Sequence, residues 1–233
     1  SIRFRQKTCL MYLLNLLKYF GIAENPSINS GNNIFEFHLY FKHEIPTDAY
    51  FQEQSYKLRR LGLPFGFESN AVFTHLSLLR ALKKDGIDLL FAPSYVAPWS
   101  CPVPLVLTLH DISYEAHPEW TPVRDQFLLR TISRHAAKNA VHILTISEFS
   151  KKEIMRLYHV PAERISVIPL ASDPGLSQAI SEAEDKAILE KFGITGDVML
   201  SVGNLINRRY PLQTIDAFAA VSKNRMPPAP QGH

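Results

Sequence analysis

Cysteine is nearly absent. Cys9 and Cys101 are the only two among 233 residues, too few for a disulfide framework, so a reducing compartment is expected. No cysteine spacing suits a metal site. Excess charge is lacking too. Twenty-five basic residues against 22 acidic ones leave +3, too slight an imbalance to argue for nucleic acid as a partner. The apolar run "CLMYLLNLL" is too short to span a bilayer. Arg3, Arg5 and Lys7 before it give it the look of a signal peptide. Asn15 interrupts it, Lys18 ends it and no small-residue cleavage site follows, so it reads as an amphipathic or buried helix. Several catalytic signatures are missing: GxGxxG, the Walker loop, HExxH and GxSxG. Dinucleotide oxidoreductases, P-loop enzymes and serine hydrolases lose support with them. Asp-x-Asp is absent as well, leaving no candidate for metal-held diphosphate chemistry of that kind.

The composition that remains, 46% hydrophobic and 20% charged, is that of a globular chain with one large domain or a domain and part of another. Residues 8–20 read as a helix that stops at Gly21. "IFEFHLYF" (34–41) alternates Phe35, Phe37, Leu39 and Phe41 with Glu36, His38 and Tyr40, which is strand periodicity. Residues 43–68, with Pro46 and Pro64, are weakly patterned and predict a loop. "SNAVFTHLSLLRALKKDG" predicts a helix, capped by Ser69 or Asn70, with Lys83 and Lys84 in its last turn and Gly86 after it. Four apolar runs then alternate with helical stretches: "IDLLFAP" (87–93), "LVLTLHD" (105–111), "VHILTISE" (141–148) and "ISVIPLASD" (165–173). The helix over 123–139 places Val123, Phe127, Leu128, Ile132 and Ala136 on one face. Short apolar runs alternating with helices predict an α/β fold with a Rossmann-like doubly wound parallel sheet. This domain covers residues 1–170. Residues 171–196 read as a linker and a helix opened by the capping box Ser181–Glu184 and stopped by Gly193. Residues 197–233 hold a buried strand (198–205) and a helix with Pro211 in its first turn, the start of a second α/β unit.

Ligands of doubly wound sheets bind beyond the carboxyl ends of the strands. That rule singles out the polar endings Pro93-Ser94-Tyr95, His110-Asp111, Ser147-Glu148 and Gly203-Asn204. His110 can donate, accept or shuttle a proton; it can equally satisfy backbone at a strand end. Asp111 can orient it or receive a hydroxyl. Ser147 fits a helix N-cap, and the same helix start offers backbone N–H groups to a ligand oxygen. Gly203 lets a ligand approach the backbone, and Arg208 and Arg209 can clamp a diphosphate in bidentate fashion; the plain reading is a loop glycine with two solvated charges. The basic groups Lys151-Lys152 and Arg3-Arg5-Lys7 read as solvated faces.

Taken together, "LVLTLHDISYEAHPEW", "RTISRHAAKNAVHILTISEFSKKEIMRLYHVPAERISVIPLASDP" and "LSVGNLINRRYPLQTIDAFAAV" resemble the family 4 glycosyltransferases of GT-B fold, over about residues 69–222. "YLLNLLKYF" is similar to that family's first helix. The resemblance implies transfer of a sugar from a nucleotide-diphosphate sugar to an acceptor, with retention of configuration and without a metal or other cofactor. It implies an acceptor-side N-terminal domain facing a donor-side C-terminal one across a cleft. His110 matches the family histidine that reaches the donor sugar and reaction centre, and Asp111 its neighbour. Gly203 matches the glycine of the donor domain's first loop, and Arg209 the lysine that meets the diphosphate. The family's habits add a sugar, lipid-linked or polysaccharide acceptor, a cytoplasmic place at the inner face of the membrane with peripheral contact, and no nucleic acid. Departures are present. No glycine-rich turn precedes "MYLLNLL", Asn204 stands where an arginine is common, and Tyr210-Pro211 is an unusual continuation. The family's paired donor-binding glutamates are expected beyond residue 233. The expectation is a fragment truncated at both ends and inactive alone. The alternatives are a non-catalytic carbohydrate- or acceptor-binding remnant and, third, a sugar-nucleotide epimerase of similar fold.

Overall fold

A buried apolar run becomes a strand only where a neighbour supplies its ladder of hydrogen bonds. In the computed structural model this holds for the four runs that supply strands to the first unit of the chain. The structure describes residues 12, 16, 36–45, 56–62, 69–120, 123–171, 181–195, 199–203 and 209–225. The remainder of the 8–20 helix, Gly21, Arg3, Arg5, Lys7, the prolines at 46 and 64, residues 172–180, Asn204 and Arg208 lie outside the described residues. The chain divides into two compact units, Ser1–Leu170 and Ala171–His233.

The first unit holds two parallel sheets. Strand β1 (His38–Phe41) pairs with β2 (Lys57–Arg60) in the register His38↔Lys57. Strands β3 (Leu90–Ala92), β4 (Leu105–Thr108), β5 (His142–Thr145) and β6 (Ile165–Val167) form a four-stranded sheet in chain order. All its ladders are parallel, with Ala92↔Leu107, Leu107↔Ile143 and Ile143↔Ile165 in register. Helices between and beside the strands complete the α/β architecture, Rossmann-like as the apolar runs predict. The β2 strand lies in the stretch that patterning predicts as a loop. Its sequence, KLRR, carries three cations and no buried run, and only its pairing with β1 makes it a strand.

Asn70 to Lys84 is helical throughout, as α1 (Asn70–Val72), a π-helical stretch (Phe73–Ser77) and α2 (Leu78–Lys84). The Ser69 hydroxyl caps it, accepting from the Val72 amide at 3.4 Å. Gly86 follows at φ +64, the left-handed conformation that ends helices. Helix α3 (Ser113–Ala116) and a 3-10 turn (Pro118–Trp120) lead into α4 (Val123–Asn139). Helix α5 (Glu148–Tyr158) closes the unit's last crossover, with His159 left-handed behind it.

The core lies on and around the sheet: Leu105, Leu107, Leu109, Ile143, Ile154 and Ile165 are all buried. Helix α4 faces it with a narrower stripe than its apolar pattern predicts. Ser133, Ala136, Ala137 and Ala140 at its end are buried, whereas Phe127 is 76% exposed. Small side chains let α4 approach the strands closely. Ser133 is tolerated there because its hydroxyl joins those of Tyr114 (2.8 Å) and Tyr158 (3.0 Å) in a buried cluster.

In the second unit, α6 (Glu182–Lys191) has the full capping box, Ser181 and Glu184 each bonding the other's backbone amide. Helix α7 (Pro211–Arg225) starts on Pro211. The described part of the expected buried strand, residues 199–203, pairs with no strand and is exposed, Leu200 at 81%. The described residues of this unit offer it no neighbouring strand, and an apolar run without a ladder partner stays irregular. Among the described residues no helix is long and apolar enough to cross a membrane.

Candidate functional site

Because β3 to β6 are all parallel, their carboxyl ends open on one edge of the sheet. Pro93 to Tyr95, His110, Asp111 and Ser147 lie just past those ends. Leu109 anchors the approach to His110. Its amide donates to the Leu144 carbonyl at 2.9 Å, and its carbonyl accepts from the Thr145 hydroxyl at 2.7 Å. The residue before the histidine is therefore fixed on both polar groups by β5.

The His110 ring is half-buried between two tyrosines. Tyr12 meets it edge-on with centroids 4.8 Å apart, and Tyr95 at 6.2 Å. Burial pushes the imidazole below its ordinary value, against the Pro93 carbonyl that hydrogen-bonds the ring and the Asp111 charge beside it. His110 is thus neutral at pH 7. Its Nε2 is buried and, among the described residues, has no hydrogen-bond partner. The bond to Pro93 therefore belongs to Nδ1–H, which assigns the tautomer and leaves the Nε2 lone pair free to accept. A buried acceptor without a partner is costly unless a ligand or water completes it. Burial also pushes the Tyr12 phenol above its usual range, so that hydroxyl stays protonated.

Asp111 is occupied locally. Its Oδ1 accepts from the Ser113 amide (2.9 Å) and the Ser113 hydroxyl (2.6 Å), which opens α3. Ser147 caps α5: its hydroxyl accepts from the Ser150 amide at 3.1 Å and donates to the Ser150 hydroxyl at 3.1 Å. Ser150 in turn donates to the His110 carbonyl at 3.2 Å. One bridge thus ties the start of α5 to the backbone of the histidine. The sequence motifs missed Tyr12 and Ser150. Tyr12 sits in an apolar run with no polar ending to mark it. Ser150 is one more polar residue in a helix, distinguished only by what lies opposite it.

Gly203 and Arg209 belong to the second unit, where they meet each other. Gly203 has φ +150, and the Arg209 guanidinium lies where a side chain at 203 would begin. Arg209 also donates to the Val202 carbonyl at 3.4 Å and is exposed. Among the described residues no cluster of three or more histidine, cysteine or acidic side chains could hold a metal ion.

Parallel strands with flanking helices, and polar strand ends on one edge, define an α/β domain of Rossmann-like class. The chain belongs to glycosyltransferase family 4, whose sequence pattern matches residues 36–175, more than half of it. It is similar to O-antigen chain mannosyltransferase B of Escherichia coli, 38% identical over 88 residues, which are 37% of this chain and 23% of that protein. It is also similar to alpha-D-kanosaminyltransferase of Streptomyces kanamyceticus, 26% identical over 125 residues, 52% of this chain and 32% of the relative. The chain thus matches at most about a third of the length of these relatives.

Proposed function

We propose that this chain carries the acceptor side of a glycosyl transfer from a nucleotide-diphosphate sugar, with retention of configuration and with His110 at the reaction centre. The observation that carries the reading is the Nε2 of His110, buried and without a hydrogen-bond partner among the described residues, at the carboxyl rim of a family 4 domain. A hydroxyl of a sugar is a donor that would complete it, and Tyr12 and Tyr95 wall the ring so that the hydroxyl approaches from one direction. Ser147 acts through Ser150 on the backbone of His110 and holds it in place. The names of both relatives are those of sugar transferases, one in O-antigen assembly. They support sugar donor and acceptor substrates; a lipid-linked acceptor handled at the inner face of a membrane is the finer part of the proposal. Gly203 and Arg209 are the donor diphosphate contacts in this reading: the guanidinium leaves the Val202 carbonyl for the phosphate oxygens.

A second reading, a non-catalytic saccharide-binding module, draws support from the exposed, unpaired residues 199–203, a poor platform for a donor. Both readings have residues 1–233 turning over donor slowly or not at all by themselves. The test is calorimetry and labelled-sugar transfer with this chain. Saccharide binding weakened about tenfold by His110→Ala, a loss of one good hydrogen bond, is the expected result. Binding indifferent to His110→Ala would remove the rim from the site. Tight donor binding or rapid transfer by residues 1–233 would overturn the assignment of this chain to the acceptor side.

A further inference from the structure

A cluster of positive charge in the described part of the first unit lies apart from His110. A cavity of about 210 Å³ is lined by Arg59, Arg60, Gly62, Ser77, Arg80 and Lys84, with Leu61 and Ala81 buried behind them. The two arginines come from the end of β2; Arg80 and Lys84 stand four residues apart on α2 and so share a face. None of these residues bonds to the rim among the described interactions.

Like charges gathered around a concavity repel one another, and a fold retains them only if something offsets the repulsion. Here the offset is partial. Asp85 takes Arg59 through both carboxylate oxygens and also accepts from the Tyr40 hydroxyl at 2.9 Å. Arg60, Arg80 and Lys84 have no carboxylate partner among the described residues. Asp85 also leaves Arg59 fixed in position, with guanidinium N–H groups to spare. The Ser77 hydroxyl, at the end of the π-helical stretch, donates to the Gly62 carbonyl at 3.1 Å and pins the turn after β2 to the helix. Among the described residues, a side chain at Gly62 would meet nothing within 4 Å. A water's share of liquid volume is about 30 Å³, so the space takes a phosphate group with room left over.

We propose that this cavity is a binding site for a phosphate or diphosphate group, separate from the saccharide rim. Planar guanidinium groups take two phosphate oxygens at once, and Lys84 adds a point charge. The group can arrive on a soluble ligand or on an anionic lipid headgroup. The chemistry is the same, and the site does not depend on the glycosyl-transfer reading.

The test uses residues 1–233 with two probes: inorganic pyrophosphate followed by calorimetry, and sedimentation with vesicles of phosphatidylglycerol against phosphatidylcholine. The variants are Arg80→Gln with Lys84→Gln, both exposed, and Gly62→Asp, which adds a carboxylate to the lining and removes nothing. Lys152→Gln, an exposed position of α5, is the charge control. Saturable pyrophosphate binding that falls at least tenfold in both cavity variants and stays unchanged in the control supports a soluble ligand. Binding of phosphatidylglycerol vesicles alone, with the same pattern of variants, supports the headgroup. Loss of binding by the control equal to that of the cavity variants overturns the site in favour of net charge. Absence of binding to either probe overturns it outright. Circular dichroism melting of each variant shows whether it is folded, and Gly62→Asp alone suffices if the double variant is not.

Discussion

His110 is held at its ring by Pro93 and at its backbone by Ser150, and two consequences follow from its half-buried, neutral imidazole. The folded state resists protonating it, so its titration by proton NMR is expected to have a midpoint below the ordinary 6.5. The sign of the stability effect follows. Above the unfolded value neither state binds the proton. As pH falls through that value the unfolded chain takes it up first, so stability declines on the acid side until the lower folded value is passed. His110→Gln is expected to flatten the stability profile just below pH 6.5, and an unchanged slope would contradict the burial. Glycosyl transfer, measured in an enzyme carrying this domain, is expected to fall on the order of 10²-fold on His110→Ala, as when one positioned polar group is removed from a reaction centre. Asp111 also has a structural job. Its Oδ1 bonds go to Ser113, so Asp111→Ala is expected to cost about 1–2 kcal/mol in urea unfolding, and unchanged stability would contradict that job. His110 was legible in the sequence because an apolar run ended on it. The tyrosines around it were not, since nothing local says which ring will reach which strand end.

At the level of elements, helix ends were the most readable features. Ser69, Ser147 and the Ser181–Glu184 box all cap where the sequence places them, because a cap is decided within four residues. The four runs from Leu90 to Val167 were legible as strands for a related reason, being continuous, short and bounded by turns. β2 was illegible because its strand character comes from β1 alone. The buried face of α4 was half-legible. Its alanines predict burial, but the hydroxyl cluster of Tyr114, Ser133 and Tyr158 depends on residues far apart in sequence. That cluster makes a sharp prediction. Ser133→Ala removes a shared partner from two tyrosine hydroxyls and is expected to destabilise the first unit by about 1–3 kcal/mol. Tyr158→Phe combined with it is expected to cost less than the sum of the single changes, which a double-mutant cycle by urea unfolding reads directly.

For the molecule as a whole, the contrast lies in what each unit does with its apolar residues. The first unit buries Leu105, Leu107, Leu109 and Ile143 almost completely, and Leu107→Ala is expected to cost about 2–5 kcal/mol there. In the second, Leu212, Ile215, Phe218 and Val221 are exposed at intervals of three along α7, Leu212 at 70%. A stripe of that kind favours association. Sedimentation velocity of residues 1–233 is expected to show concentration-dependent self-association that Leu212→Lys with Ile215→Lys reduces. Monomeric behaviour of the unaltered chain at high concentration would contradict it. The sequence placed a helix here with Pro211 in its first turn, but a helical pattern does not supply the cover for its apolar side chains.

The coincidence of chain order and spatial order in the β3–β4–β5–β6 sheet bears on how this protein comes into being. Each ladder needs only the strand made just before it, so every loop to be closed is a single crossover, and the entropy of closure is met in small instalments. The sheet can therefore be assembled from β3 towards β6 in the order in which a ribosome delivers it. On that path the His110 rim is complete once β5 and the start of α5 have emerged, before Gly203 and Arg209 have been synthesised.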